Sequence, residues 1–118
     1  MQAELRKRIL VVDDEQFIRL FCAEVLTQAG FVVDTSHDGI DALELLSANS
    51  YDLIIADIEM PRLGGLYLFA RSKKEHPELG DRFLFISGRK PAHVEVKRFL
   101  GKPFKKRQLL ENVMSAFD

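Results

Sequence analysis

The sequence predicts a single α/β domain built on a five-stranded parallel β-sheet. Short apolar runs rich in β-branched residues alternate with segments of helical periodicity, which is the pattern of repeated βαβ units. The chain has 118 residues, enough for one compact domain with one core. Several apolar runs end in acidic or small polar residues, as strands do at the edge where such sheets bind ligands. We therefore expect residues 1–118 to form one doubly wound sheet with helices on both faces.

The first βαβ unit is predicted from two apolar strands and the helical segment between them. The strands cover residues 8–12 and 31–35. Residues 15–29 have helical periodicity and end before Gly30, a residue type that commonly terminates helices. The apolar positions that we expect on one face of this helix are Phe17, Leu20, Phe21, Val25 and Leu26.

The second unit begins at Asp38, a residue type that caps helix N-termini. The apolar side of the helix that follows consists of Ile40, Leu43 and Leu46. The strand predicted at residues 52–56 is almost wholly apolar and should therefore be central in the sheet. Pro61 and the glycine pair at 64–65 make residues 57–65 a loop.

The second half of the chain continues the alternation. We predict a helix at residues 65–74, a turn at residues 76–80 and a strand at residues 82–86. A fifth strand is expected at residues 96–100 and a closing amphipathic helix at residues 105–117. The inward positions of that helix are Leu109, Leu110, Val113 and Phe117.

The connection between the fourth and fifth strands is short. Only 14 residues separate Ser87 from Lys102, and the predicted fifth strand leaves residues 89–95 for the crossover. A parallel crossover normally takes about a dozen residues or more, and Pro91 restricts helix formation. We therefore predict that the helix between these two strands is absent or reduced to about one turn.

Composition excludes several classes of function. The net charge of −1 gives no general attraction to nucleic acid, and the basic clusters at residues 6–8, 73–74 and 105–107 are typical of solvated element ends. Cys22 is the only cysteine, so no internal disulfide forms, and we expect a buried thiol. No apolar run approaches the roughly 18 residues of a membrane span. We expect a cytoplasmic protein without nucleic-acid or membrane contacts.

Polar side chains follow four of the predicted strands. Asp13 and Asp14 follow the first strand, Asp57 the third, Ser87 the fourth and Lys102 the fifth. Because the carboxyl ends of parallel strands meet at one edge, these groups should lie together. Clustered carboxylates need a cation, and an all-oxygen site with few protein ligands suits Mg²⁺, whereas the histidines lack zinc-ligand spacing. Taken singly, each residue also has an ordinary explanation as a helix cap, turn or strand end.

Four motifs occur in sequence along the chain. They are Ile9-Leu10-Val11-Val12-Asp13-Asp14-Glu15, Asp57-Ile58-Glu59-Met60-Pro61 with Gly64-Gly65, Phe85-Ile86-Ser87-Gly88, and Gly101-Lys102-Pro103-Phe104. Together they make nearly the whole chain resemble response regulator receiver domains. The resemblance implies a flavodoxin-like fold with strand order 2-1-3-4-5. It also implies phosphorelay signalling, in which a sensor histidine kinase or a histidine phosphotransfer protein donates a phosphoryl group.

The resemblance assigns roles at the acidic edge. Asp57 resembles the phosphorylated aspartate of the family, and Asp14 and Asp57 resemble its Mg²⁺ ligands. The backbone carbonyl of Glu59 would complete the metal site, with Asp13 acting through water. An ionised carboxylate carries no proton to remove, so the phosphoryl transfer needs no general base.

The resemblance also implies a switch. Lys102 and the Ser87 hydroxyl would bind the phosphoryl oxygens, and Ser87 would move toward them. Phe99 resembles the aromatic residue that rotates into the vacated space, although a simple core phenylalanine is the alternative. In the family, the crossover helix, the fifth strand and the last helix build the usual dimerisation and output surface. The predicted loss of the crossover helix argues against that surface and leaves the oligomeric state open.

Two other functions compete with the receiver. Asp57 and Glu59 form an Asp-x-Glu pair that, with Ser87 and Lys102, is similar to the site of haloacid dehalogenase-like phosphatases, which carry an acid/base aspartate two residues after the nucleophile. Those enzymes place the nucleophile after their first strand and carry a cap, for which this chain has no spare length. The other alternative is a degenerate receiver that binds partners without phosphorylation. We expect a phosphoryl acceptor and not a turnover enzyme.

Overall fold

The computed structural model describes residues 6–90 and 96–118. Within these residues the elements are β1 (Arg8–Val12), α1 (Gln16–Gln28), β2 (Val32–Ser36), α2 (Gly39–Ala48), β3 (Leu53–Asp57), α3 (Gly65–Glu75), a 3₁₀ turn (Pro77–Asp81), β4 (Phe83–Ser87), β5 (Phe99–Gly101) and α4 (Lys106–Ala116). The strands pair in parallel in the order β2-β1-β3-β4-β5. The predicted α/β class and strand order are confirmed.

The two faces of the sheet carry separate hydrophobic clusters. Successive residues of a strand point to opposite faces, so Ile9 and Val11 join a cluster with α1 and α4. Leu10 and Val12 join the other cluster, with α2 and α3. All residues of β3 and β4 are buried, because these strands lie inside the sheet and are covered on both faces. This doubly wound arrangement leaves the carboxyl ends of the strands as the open edge.

The buried stripe of α1 is narrower than predicted. The side chains that contact the core are Ile18, Cys22, Val25 and Leu26, with Phe21 at the margin. Phe17 and Leu20 are 75% and 62% exposed, so the prediction that they face the core is wrong. At 3.6 residues per turn, the predicted set spans more than half of the helix circumference, which is wider than the face that packs on the sheet. Cys22 is fully buried, as expected.

The core face of α2 also differs from the prediction. Its buried residues are Gly39, Ala42 and Leu46. Ile40 is 41% exposed and Leu43 is half-buried. Ala42 packs in the core, whereas Ile40 lies on another side of the helix and lines a surface cleft with Tyr67 of α3. The predicted N-cap is confirmed, since the Asp38 carboxylate accepts a hydrogen bond from the Asp41 amide at 2.8 Å.

The fifth strand is shorter and later than predicted. It covers three residues, Phe99–Gly101, where residues 96–100 were expected. Its pairing with β4 runs from the Phe85–Phe99 pair to the Ser87–Gly101 pair, where β4 ends. Residues 88–90 and 96–98 are not helical, which leaves no room for a crossover helix of three turns. The rest of the predicted crossover, residues 91–95, lies outside the described residues.

The last helix packs as predicted. Leu109 and Val113 are fully buried, and Leu110 and Phe117 are half-buried against the same cluster as α1. Of the helices in the described part of the chain, none combines the length and the apolar content that crossing a bilayer requires.

Candidate functional site

The strand ends bring the predicted polar residues together. Asp57 is the last residue of β3 and pairs in register with Ile86, one residue before Ser87. Ser87 in turn pairs with Gly101, one residue before Lys102. Asp13 and Asp14 follow β1 directly. One carboxylate oxygen from each of Asp13, Asp14 and Asp57 lies within 4.8 Å of the others.

The three aspartates differ in burial. Asp13 is fully buried and Asp57 is 4% exposed, whereas Asp14 is exposed. Burial raises the pKa of both Asp13 and Asp57 above the ordinary 3.8, and the neighbouring Lys102 ammonium offsets only part of this effect. Among the described residues, three carboxylates face the single neighbouring Lys102 ammonium, and the site is open to solvent at Asp14.

Lys102 is the only cation of the described residues that lies among these carboxylates. Its Nζ is 2.9 Å from Asp13 Oδ2, 3.0 Å from Asp57 Oδ2 and 3.0 Å from Glu15 Oε1. Burial of Lys102 opposes its charge, but the three carboxylates outweigh burial, so the pKa of Lys102 lies above its ordinary 10.5. Lys102 is therefore held as an ammonium.

The donor set fits a small, hard cation. Asp13 Oδ2 is buried and receives no aligned hydrogen bond from the described residues, although Lys102 Nζ lies close by as an ion pair. A buried carboxylate oxygen with a free lone pair is costly unless a cation or water uses it. Asp14 and Asp57 offer further carboxylate oxygens, and oxygen ligands with access to water are what Mg²⁺ prefers.

The carboxylate of Asp57 is oriented by its surroundings. Its Oδ2 accepts a hydrogen bond from Lys102 Nζ, and its Oδ1 accepts one from the Glu59 amide at 3.1 Å. The loop after β3 can fold this closely because Gly65 has no side chain: a Cβ there would collide with the backbone carbonyl of Asp57. Gly65 thus allows the start of α3 to lie against the end of β3.

The carboxylate of Glu59 makes a contact that the sequence did not predict. Its Oε1 accepts a hydrogen bond from Ser87 Oγ at 3.2 Å, and its Oε2 lies 3.4 Å from an Arg89 guanidinium nitrogen. The spacing offers a signal that could have indicated this contact, because Glu59 and Arg89 each lie two residues beyond a site residue on neighbouring strands.

Glu15 is a second residue whose role the sequence did not predict. Its carboxylate accepts a hydrogen bond from Lys102, and its amide donates one to Asp13 Oδ1 at 2.8 Å. Its position directly after Asp13 and Asp14 is the only sequence signal for this role.

Phe99 lies on β5, half-buried against the cluster that contains Phe69, Phe83 and Phe85. Phe99 is paired in register with Phe85, two residues before Ser87. It therefore sits on the strand next to Ser87 and not among the acidic groups.

The family model of the response regulator receiver domain matches residues 9–114. The sensor kinase CckA of Brucella abortus is 30% identical over 115 residues, which cover 89% of this chain and 12% of the kinase. The chain spans about a tenth of the length of the curated sensor kinases CqsS and CckA that it matches.

Solved structures have the same fold. The chemotaxis protein CheY4 of Vibrio cholerae superposes with a TM-score of 0.87 at 25% identity, covering 94% of this chain and 98% of that one. The response regulator TrrA of Thermotoga maritima, solved in complex with Mg²⁺-BeF, superposes with a TM-score of 0.81 at 32% identity. That match covers 93% of this chain and 98% of TrrA.

Proposed function

The chain belongs to the response regulator receiver domain family, and we propose that it accepts a phosphoryl group on Asp57 in a two-component phosphorelay. Residues 1–118 form the receiver domain in this proposal. The observation that carries it is the position of Asp57, a buried carboxylate at a strand end between a lysine ammonium and two further aspartates.

Asp57 acts as the nucleophile. One of its carboxylate oxygens forms a bond to phosphorus while the bond between phosphorus and the donor group breaks. The Glu59 amide and Lys102 fix the carboxylate by a hydrogen bond to each oxygen, so it approaches phosphorus in one orientation. Both donors also favour its ionised form, which is the nucleophilic one.

The negative charge of the phosphoryl group must be neutralised where it accumulates. Asp13, Asp14, Asp57 and the backbone carbonyl of Glu59 would hold Mg²⁺, with Asp13 acting through water. When bound, Mg²⁺ supplies positive charge to the phosphoryl oxygens. The TrrA complex with Mg²⁺-BeF supports this choice of cation. Lys102 neutralises charge from the side of β5, and Ser87 donates a hydrogen bond once Asp57 is modified.

The output is a shift between two packings of the β4–β5 region. Ser87 moves toward the phosphoryl group and Phe99 rotates on the neighbouring strand, which alters the surface that partners bind. The donor is a sensor histidine kinase or a histidine phosphotransfer protein. The similarity to a segment of the sensor kinase CckA supports a partner of this class.

The proposal is tested by incubating the protein with Mg²⁺ and acetyl phosphate. We expect intact-mass spectrometry to show one added phosphoryl group, which is absent when Mg²⁺ is chelated. The Asp57→Asn variant keeps the shape of the side chain but lacks the nucleophile, so it should remain unmodified.

Two other results would contradict the proposal. Continuous release of phosphate at high turnover would indicate a phosphatase. A protein that binds Mg²⁺ but takes up no phosphoryl group would indicate a degenerate receiver.

A further inference from the structure

The Ser87 hydroxyl already has an acceptor in the unmodified protein. Ser87 is fully buried, and its Oγ lies 3.2 Å from Glu59 Oε1. An ionised carboxylate can only accept hydrogen bonds, so the hydroxyl proton is directed at Glu59. A serine has one such proton. Ser87 therefore cannot donate to a phosphoryl group on Asp57 while it donates to Glu59.

Glu59 connects the two loops that border the acceptor. Its amide donates to Asp57 Oδ1, and its carboxylate reaches across to Ser87 and to the Arg89 guanidinium. The Arg89 amide lies 3.4 Å from Ser87 Oγ as a further donor. These contacts form a closed ring that links the loop after β3 to the loop after β4.

The side-chain part of this ring is weak enough to open. The Glu59 and Arg89 side chains are 56% and 82% exposed, and their ion pair is long at 3.4 Å. Exposed ion pairs of this kind contribute little, because water competes for both charges. The hydrogen bond to Ser87 is also long for an O–H donor.

We propose that Glu59 is a latch that holds Ser87 away from the acceptor site until Asp57 is phosphorylated. This role rests on the proposed function. A phosphoryl group adds roughly −1.5 to −2 charges, which repel the Glu59 carboxylate and offer Ser87 a stronger acceptor. Ser87 then exchanges Glu59 for the phosphoryl group, and Glu59 leaves the mouth of the site. Glu59 is thus a positioning residue that acts through Ser87.

The latch is tested with Mg²⁺ and beryllium fluoride, a phosphoryl mimic, by isothermal titration calorimetry on four proteins. They are the unaltered chain, Glu59→Ala, Ser87→Ala and the double variant. When Ser87 is present, removing the latch should tighten binding roughly two- to fivefold, the size expected for a weak exposed contact. When the Ser87→Ala substitution is already in place, most of that gain should vanish.

The double variant distinguishes the latch from simple repulsion between the Glu59 carboxylate and the bound anion. If Glu59 only repels the anion, Glu59→Ala tightens binding equally with and without the Ser87 hydroxyl, and the latch is wrong. Weaker binding by Glu59→Ala would also overturn it. Glu111→Ala is the matched control, since Glu111 forms a similarly exposed ion pair with Arg107 at 3.3 Å, and it should leave the affinity unchanged.

Results that contradict the proposed function differ from results that contradict only the latch. If the unaltered chain binds no beryllium fluoride and takes no phosphoryl group from acetyl phosphate, the phosphoryl acceptor itself is wrong and the latch falls with it. The unaltered chain can bind beryllium fluoride and take the phosphoryl group while Glu59→Ala raises the affinity equally with and without the Ser87 hydroxyl. In that case only the latch is overturned.

Discussion

At the scale of single residues, Lys102 holds the unmodified site together. Its Nζ lies within 3.0 Å of carboxylates that come from β3 and from the loop after β1. Two of those carboxylates, Asp13 and Asp57, are buried. Burial raises the pKa of both acids, and the Lys102 ammonium acts against this effect, so Lys102 favours their ionised forms.

Replacing Lys102 by methionine should destabilise the metal-free protein. The change leaves two buried carboxylates without their cation, and we expect a loss of about 2 kcal/mol in the free energy of unfolding. Saturating Mg²⁺ should restore most of the loss, because it supplies the missing charge. Urea denaturation with and without Mg²⁺ measures both effects.

Lys97→Met is the control for this substitution. Lys97 is 62% exposed and pairs with exposed Asp81 at 3.2 Å, so its loss should change stability by less than about 0.5 kcal/mol. Equal effects of the two substitutions would show that Lys102 is not the internal cation of the site.

At the scale of elements, Asp38 fastens the start of α2 to the loop after β3. Its carboxylate accepts from the Asp41 amide at 2.8 Å and pairs with Arg62 at 3.0 Å. Arg62 has a left-handed backbone with φ of 73°, which few residues other than glycine adopt. The Asp41 amide, and to a smaller extent Arg62, lower the pKa of Asp38 below its ordinary 3.8.

Asp38→Ala should lower the free energy of unfolding by about 1 kcal/mol, the usual contribution of a helix N-cap. Because the pKa of Asp38 is lower in the folded protein, its contribution is fully present above pH 3.8 and is lost as pH falls through the folded pKa. The stability difference between the unaltered chain and Asp38→Ala should therefore shrink in acid. Chemical denaturation at a series of pH values measures this difference.

Asp38→Asn separates the cap from the charge. Asparagine still accepts the Asp41 amide but does not titrate, so this variant should lose less stability than Asp38→Ala at neutral pH. A difference between Asp38→Ala and the unaltered chain that stays constant down to about pH 2, well below the ordinary aspartate pKa, would contradict the account.

The helices and strands also show which parts of the fold can be predicted from the sequence. The strand at residues 8–12 is predicted to the residue, because its apolar run ends abruptly at Asp13. The fifth strand is not, since only its pairing with β4 decides where it begins. Phe17 and Leu20 are apolar but exposed, because hydrophobicity does not say how wide the packed face of a helix is.

Some features of the candidate site can likewise be predicted from the sequence, and others cannot. The aspartates, Ser87 and Lys102 can be predicted because each directly ends or follows a strand, and parallel strands end at one edge. The contacts of Glu59 with Ser87 and of Glu15 with Lys102 depend on how side chains reach between loops. Sequence spacing places Glu59 and Glu15 beside the site residues, but it does not determine which side chains come within hydrogen-bonding distance.

At the scale of the whole molecule, one sheet is shared by both hydrophobic clusters. Ile54 and Ile55 are neighbours in β3 and fully buried, but they face opposite sides. Loss of either cluster exposes the same central strand. The two layers of helices should therefore unfold together.

Ile54→Ala and Ile55→Ala test this cooperativity. Each removes buried methyl and methylene groups and should cost about 2–5 kcal/mol. In both variants, urea transitions followed by far-ultraviolet circular dichroism and by tyrosine fluorescence should coincide. The fluorescence comes from Tyr51, in the Ile54 cluster, and from Tyr67 on α3. A variant whose two transitions separate would show that the layers fold independently.

For the whole molecule, we propose that the buried strand end at Asp57 takes the phosphoryl group. Borohydride reduction of the protein phosphorylated with acetyl phosphate converts an aspartyl phosphate to homoserine, and peptide mass spectrometry locates it. We predict homoserine at position 57 alone. Homoserine at position 13 or 14, or a phosphoryl group on a histidine or serine with Asp57 unchanged, would contradict the account.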